Sequence, residues 1–162
     1  MPGYRLAGRV TRRAVLLAVF AATACTLSSP SPTLNDAAGV AVEVSFCRDE
    51  VNRYRMSIGR SVLARSRALE DFAAQAAAVD GTAHIAHHHF TMTNGGGIAI
   101  AETEILWWRA SSVRTVIEQG LAQMWQEGPQ GHHYTILVGP YSEVGCGIFV
   151  NGGEVTVVQD FR

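Results

Sequence analysis

Residues Val113–Asp160 read VRTVIEQGLAQMWQEGPQGHHYTILVGPYSEVGCGIFVNGGEVTVVQD, and their hydrophobic period changes once along the way. Up to Glu127 the apolar residues Val113, Val116, Ile117, Leu121 and Met124 form the stripe of an amphipathic helix. Ser112 stands at its N-cap position, and Gly128-Pro129 stops it. Beyond Gly131 the pattern shortens to three strand-like runs, Tyr134–Val138, Val144–Val150 and Glu154–Asp160. Asn151-Gly152-Gly153 joins the last two as a hairpin turn.

Working outward, Val44, Cys47, Val51 and Tyr54 share one face of a helix expected over Val42–Ser57 and closed by Gly59. A second helix is expected over Ser66–Val79, with Leu69, Phe72, Ala73, Ala76 and Val79 as its stripe and Asp80-Gly81 as its end. An irregular His-rich passage, His84–Phe90, and a glycine loop, Asn94–Gly97, lead into an alternating segment over Ile98–Leu106. It carries Glu102 and Glu104 on one side. Helices followed by an antiparallel meander make an α+β domain of a size that supports its own core. No repeat and no second domain is visible.

The N-terminus has a different character. Met1–Arg13 carries four arginines and no acid, and the apolar run Ala14–Ala24 precedes Cys25. A basic region, a short apolar core and a small-residue exit describe a secretory signal peptide over residues 1–24. The run falls short of the roughly 20 apolar residues that span a bilayer. Thr11-Arg12-Arg13-Ala14-Val15-Leu16 resembles a twin-arginine export motif, and Ala22-Thr23-Ala24-Cys25 resembles a lipobox with Ala22 where Leu is usual. Cys25 is therefore the expected lipidation site. A Ser/Pro-rich tether over residues 25–41 then precedes the domain at 42–162.

All 13 basic residues are Arg, and losing the four of the signal leaves nine against 14 acids, a formal charge near −5. No basic patch of the kind that binds nucleic acid is present. With Cys25 assigned to processing, Cys47 and Cys146 remain, and an exported chain lives where disulfides persist. The expected bridge closes a loop worth about 4–5 kcal/mol in the chain-entropy account. Two buried free thiols are the alternative.

The six histidines fall in two clusters, His84, His87, His88 and His89, then His132 and His133. Imidazoles and carboxylates are the usual ligands of zinc and similar metals. A His-rich solvated loop is the bland reading of the same residues.

Gly131-His132-His133-Tyr134-Thr135 followed by Glu143-Val144-Gly145-Cys146 resembles the pattern of the CAP family, the cysteine-rich secretory, antigen 5 and pathogenesis-related 1 proteins. Trp125-Gln126-Glu127-Gly128-Pro129, Ala101-Glu102-Thr103, Val51-Asn52-Arg53-Tyr54-Arg55 and the final VTVVQDF are similar to further family motifs, in the family's order. Ala101 and Thr103 depart from the Gly and Asn usual on either side of that Glu.

The resemblance implies an α-β-α sandwich with a small antiparallel sheet between helices, and a cleft lined by two His and two Glu. Carried over by position, His133, Glu127 and Glu102 fill three of these places. His87, His88 and His89 compete for the fourth, for which His88 is taken. The implied metal ligands are His88 and His133, for zinc or another divalent ion.

The leading functional expectation is a secreted or lipid-anchored domain that binds an extracellular lipid, peptide or protein partner. No nucleic acid is involved, and membrane contact is limited to a lipid anchor. The second is a metal-dependent hydrolase with Glu102 or Glu127 as general base. Neither an HExxH helix nor a nucleophile elbow supports that second reading.

Overall fold

The computed structural model describes residues 37–162 of the 162-residue chain. The expected signal peptide, Cys25 and most of the tether lie outside the described residues. Seven elements were expected, and the differences from that list are physically informative.

Helix α1, Ala37–Ser57, starts earlier than the expected Val42. A two-residue strand β1, Ala64–Arg65, follows, then α2, Arg67–Ala83. The short helix α3 occupies His88–Thr93, and strand β2 runs over Ala101–Trp108. Helix α4, Val113–Gln126, has its N-cap where expected, with the Ser112 hydroxyl accepting from the Thr115 N–H at 3.1 Å. Helix α5, His132–Leu137, precedes β3, Glu143–Asn151, and β4, Glu154–Phe161.

The sheet order is β1-β3-β4-β2. The β3, β4 and β2 strands are antiparallel neighbours, and β1 adds a short parallel pairing to β3. The fold is thus α+β, with helices on both faces of the sheet.

Alternation along β3 sorts those faces. Val144 and Cys146 join the larger core with Cys47 and Val51 of α1, Val116, Ile117 and Leu121 of α4, and Leu137 of α5. The intervening glycines lie under α2: a Cβ on Gly147 would come within 2.1 Å of the Ala73 backbone, and one on Gly145 within 2.3 Å of the Glu70 nitrogen. Ala73, Ala76 and Ala77 of α2 pack with Val158 of β4 in this second layer. The expected disulfide is formed between Cys47 and Cys146, fastening α1 to β3 across 99 residues.

Two expectations are corrected. Asp80-Gly81 does not end α2, which continues to Ala83. Gly81 sits where a Cβ would meet Phe149 and Thr156 at 2.8 Å, so it serves close packing on the sheet rather than helix termination.

Tyr134–Val138 is not a strand but lies mostly within α5. Its β-branched content argued for a strand, yet tertiary contacts decide otherwise. Leu137 is fully buried in the core, and the Arg55 guanidinium donates to the carbonyls of Leu137 at 2.8 Å and Gly139 at 2.9 Å. Arg55 is itself 2 % exposed, and burial lowers its pKa below the ordinary arginine value.

The glycine contact yields a test. Gly147→Ala should lower stability in urea unfolding by about 1–3 kcal/mol through overpacking against Ala73. Wild-type stability in that variant would contradict so close an approach of α2.

Candidate functional site

β2 is an edge strand of the sheet, and the candidate cleft runs along it. On the α2–α3 side, His87 adopts a left-handed backbone conformation, φ 53°, just before α3. That turn aims both its N–H and its ring at β2. The backbone N–H donates to Glu104 Oε2 at 2.7 Å, and Nδ1 shares a hydrogen bond with Glu102 Oε1 at 2.8 Å. His87, rather than the expected His88, therefore meets Glu102. His88, one residue on, begins α3, and its side chain makes no hydrogen bond or ion pair among the described residues.

On the α4–α5 side, Glu127 grips His133 in a similar way. Its Oε2 accepts the His133 N–H at 3.0 Å, and its Oε1 lies 2.5 Å from Nδ1. The carboxylate at the end of α4 thus has a specific partner despite an unfavourable helix dipole.

The two pairs differ in solvation. Glu127 is partly exposed, and the His133 hydrogen bond lowers its pKa below the ordinary carboxyl value. Glu102 and Glu104 are 5 % and 7 % exposed, and burial raises both, Glu104 to about 9. The Glu102 hydrogen bond raises the His87 pKa.

Two further acids complete the buried side. Asp80 of α2 accepts the His89 N–H at 2.8 Å, while Asp160 of β4 stands directly opposite Glu102. Burial raises the Asp160 pKa to about 9.

Two small cavities open beside the pairs. One, of about 330 Å³, is lined by His87, Glu102 and His132 with Phe90, Ile100 and Ile136. The other, of about 120 Å³, includes Glu104, Trp108, Met124, Glu127 and His133. Trp108 thus forms part of a cleft wall, whereas the Trp107 ring lies 5.1 Å from the His84 ring.

His88 and His133, the expected metal ligands, are not gathered into one donor group. Among the described residues, the donor atoms of His87, Glu102 and Glu104 lie within 4.8 Å of one another and form a group that could hold a metal ion. The residues fit such an ion. Imidazole and carboxylate are suitable donors, and the buried atoms Glu102 Oε2 and Glu104 Oε1 have no hydrogen-bond partner.

The sequence model of the cysteine-rich secretory protein family, CAP, matches residues 48–161. The chain belongs to this family. The CAP match covers most of the described domain, including both His–Glu pairs. A cysteine-rich secretory protein from Staphylococcus aureus subsp. aureus Mu50 has a similar fold, with a TM-score of 0.50 and 10 % identity. The similarity covers 78 % of this CAP chain and 40 % of the staphylococcal chain, so this chain accounts for less than half of that protein. No curated protein matches the chain.

Asp80 and Asp160 were not expected at the site, and His87 stood only as an alternative to His88. Asp80 continues the Ala73, Ala76 and Ala77 face at helical spacing, a signal for a buried acid rather than a helix stop. Asp160 shares the strand face of Val158 by alternation, which is the corresponding signal in β4.

The Asp160 shift predicts a pH dependence. Its folded-state pKa lies above the ordinary 3.8, so its contribution favours folding at low pH and is lost as pH rises toward about 9. Chelator-treated protein should therefore melt at falling temperature between about pH 4 and pH 9, with Asp160→Asn flattening the slope in calorimetry. An identical slope in both proteins would remove Asp160 from this role.

Proposed function

We propose that this CAP chain is an exported binding domain whose cleft takes an extracellular amphipathic ligand, a lipid in the first instance, together with a divalent metal. The observation that carries the reading is the cavity beside His87. Phe90, Ile100 and Ile136 offer an apolar wall, while His87, Glu102 and His132 offer polar groups to one end of a ligand. Ile100 is 70 % exposed, an apolar residue left open at the cavity.

Neither cavity is lined by Ser, Thr or Cys, which disfavours a covalent hydrolase. The disulfide accords with an oxidising compartment. Among the described residues, no helix is long and apolar enough to cross a membrane. Export itself rests on the sequence of residues 1–24, and a lipid anchor on Cys25.

Binding is tested by titrating a long-chain fatty acid and a lysophospholipid into the protein while following tryptophan fluorescence. Saturable binding is expected, weakened about tenfold by Ile100→Asp, the scale of losing one apolar side-chain contact. No lipid binding, combined with ester or peptide hydrolysis abolished by Glu127→Gln, would overturn the proposal in favour of a metal-dependent hydrolase.

For the anchor, a Cys25→Ala variant should leave the membrane fraction. Unchanged membrane association would count against lipidation.

A further inference from the structure

At the edge opposite β2, the sheet is only partly covered. β1 pairs with the start of β3 through Ala64 and Arg65, and its line ends where the chain turns at Ser66 into α2. The Ala64 N–H donates to the Ser142 carbonyl at 2.9 Å, and the Ser66 N–H to that of Val144 at 3.2 Å. Main-chain groups alternate in direction along a strand, so those of Cys146, Ile148 and Val150 point the same way as those of Val144. Past Ser66, no strand among the described residues meets them. An unpaired edge of this kind is a template for another strand.

A cavity of about 480 Å³ follows this open edge, with Cys146 and Ile148 at its floor. Val40, Ala41 and Val44 of α1 form one wall, which is apolar. Arg67, Asp71 and Ala74 share one face of α2 and form the other. The helices lie on opposite faces of the sheet, so a strand added in the groove presents alternate side chains to α1 and to α2. A second copy of the chain would bring its own α1 and α2 against these walls, whereas a single strand brings none.

The α2 wall also dictates charge. Arg65 donates to both oxygens of the buried Glu70, at 2.7 and 2.8 Å, so that pair is satisfied. The Arg67 side chain is 76 % exposed and reaches Glu70 only at 3.5 Å. Asp71 is exposed, and its carboxylate makes no hydrogen bond or ion pair among the described residues. The wall thus offers one loosely held cation and one unpaired anion.

Their spacing fits a strand. Arg67 and Asp71 are separated by a little over one turn of α2, a rise of about 6 Å. Side chains on one face of a strand repeat at about 6.6 Å. α2 and β3 already show this match, since Gly145 and Gly147 lie under Glu70 and Ala73.

We propose that this groove binds an extended peptide of about five residues, added to the sheet as a strand beside Cys146–Val150. Its aliphatic side chains face α1. An acidic and a basic side chain, at alternate positions, face Arg67 and Asp71. Main-chain hydrogen bonds to β3 supply affinity, and the alternating side chains supply selectivity. The site lies at the other edge of the sheet from the cleft and is independent of the lipid and metal readings there.

The experiment titrates disulfide-intact protein into a fluorescein-labelled, C-terminally amidated peptide in which Glu and Arg alternate with valines, and reads anisotropy. Saturable binding is expected, weakened about tenfold by Arg67→Glu, the scale of one misplaced charge pair. A peptide with Gln at both charged positions should also bind about tenfold more weakly. Two further peptides carry N-methyl groups on alternate residues, one on the odd set and one on the even set. One should lose binding at least about tenfold and the other stay within about threefold, because a strand pairs with β3 through only one of its edges. Ala74 is exposed, and Ala74→Trp fills the groove and should abolish binding, with circular dichroism melts establishing that the variant is folded.

If Ala74→Trp does not fold, Arg67→Glu and the methylated peptides decide. No binding of the charged peptide, or equal effects of the two methylated sets, would overturn strand addition. Edge binding that ignores Arg67→Glu would overturn the charge pattern. Concentration-dependent dimers that Ala74→Trp abolishes, with no peptide binding, would assign the edge to a second copy and overturn the peptide reading.

Discussion

The close seating of α2 on β3 is the contact on which the rest of the arrangement depends. Gly145 and Gly147 let the helix backbone approach at distances that a side chain on either residue would obstruct. On the opposite face, Val144 and Cys146 join the core with α1 and α4, and the disulfide fastens that layer. A strand with glycines on one face and core residues on the other can carry helices at two different depths. Because α2 lies so close, Asp80 on its last turns reaches the acids of β2 and β4, and the chain leaving it enters the turn at His87.

The cleft uses one hydrogen-bonding arrangement in two environments. In both halves, carboxylate oxygens take a histidine's backbone N–H and its Nδ1, which fixes the ring and leaves Nε2 without a described partner. Glu127 does this near solvent and ionises readily. Glu102 and Glu104 do it in a layer where burial resists charge. The cleft therefore joins a hydrated acid–imidazole pair to a buried acidic chamber, with an apolar wall beside the latter.

Much of the fold was legible because periodicity reports burial directly. The stripe of α4 and its Ser112 cap are seen as expected, as is the β3–β4 hairpin. Failures came where a contact remote in sequence overrules local preference. Tyr134–Val138 has the composition of a strand, yet buried Arg55, far earlier in the chain, holds the carbonyls at the end of a helix there. Gly81 has the look of a stop signal, but its role becomes visible only beneath Phe149 and Thr156.

The sequence by itself determined the α+β class and the CAP resemblance, and it named Cys47–Cys146 as the expected bridge and Glu102, Glu127 and His133 as cleft candidates, because motif order and hydrophobic period survive without coordinates. Tertiary structure alone decided which of three consecutive histidines faces Glu102. Neighbouring residues of identical chemistry carry no local signal to separate them, whereas a left-handed turn at His87 points one ring at β2. It also decided that Asp80 and Asp160, far apart in the chain, share one buried layer with Glu102 and Glu104. That proximity follows from α2 lying directly on two glycines, a packing distance no one-dimensional pattern encodes.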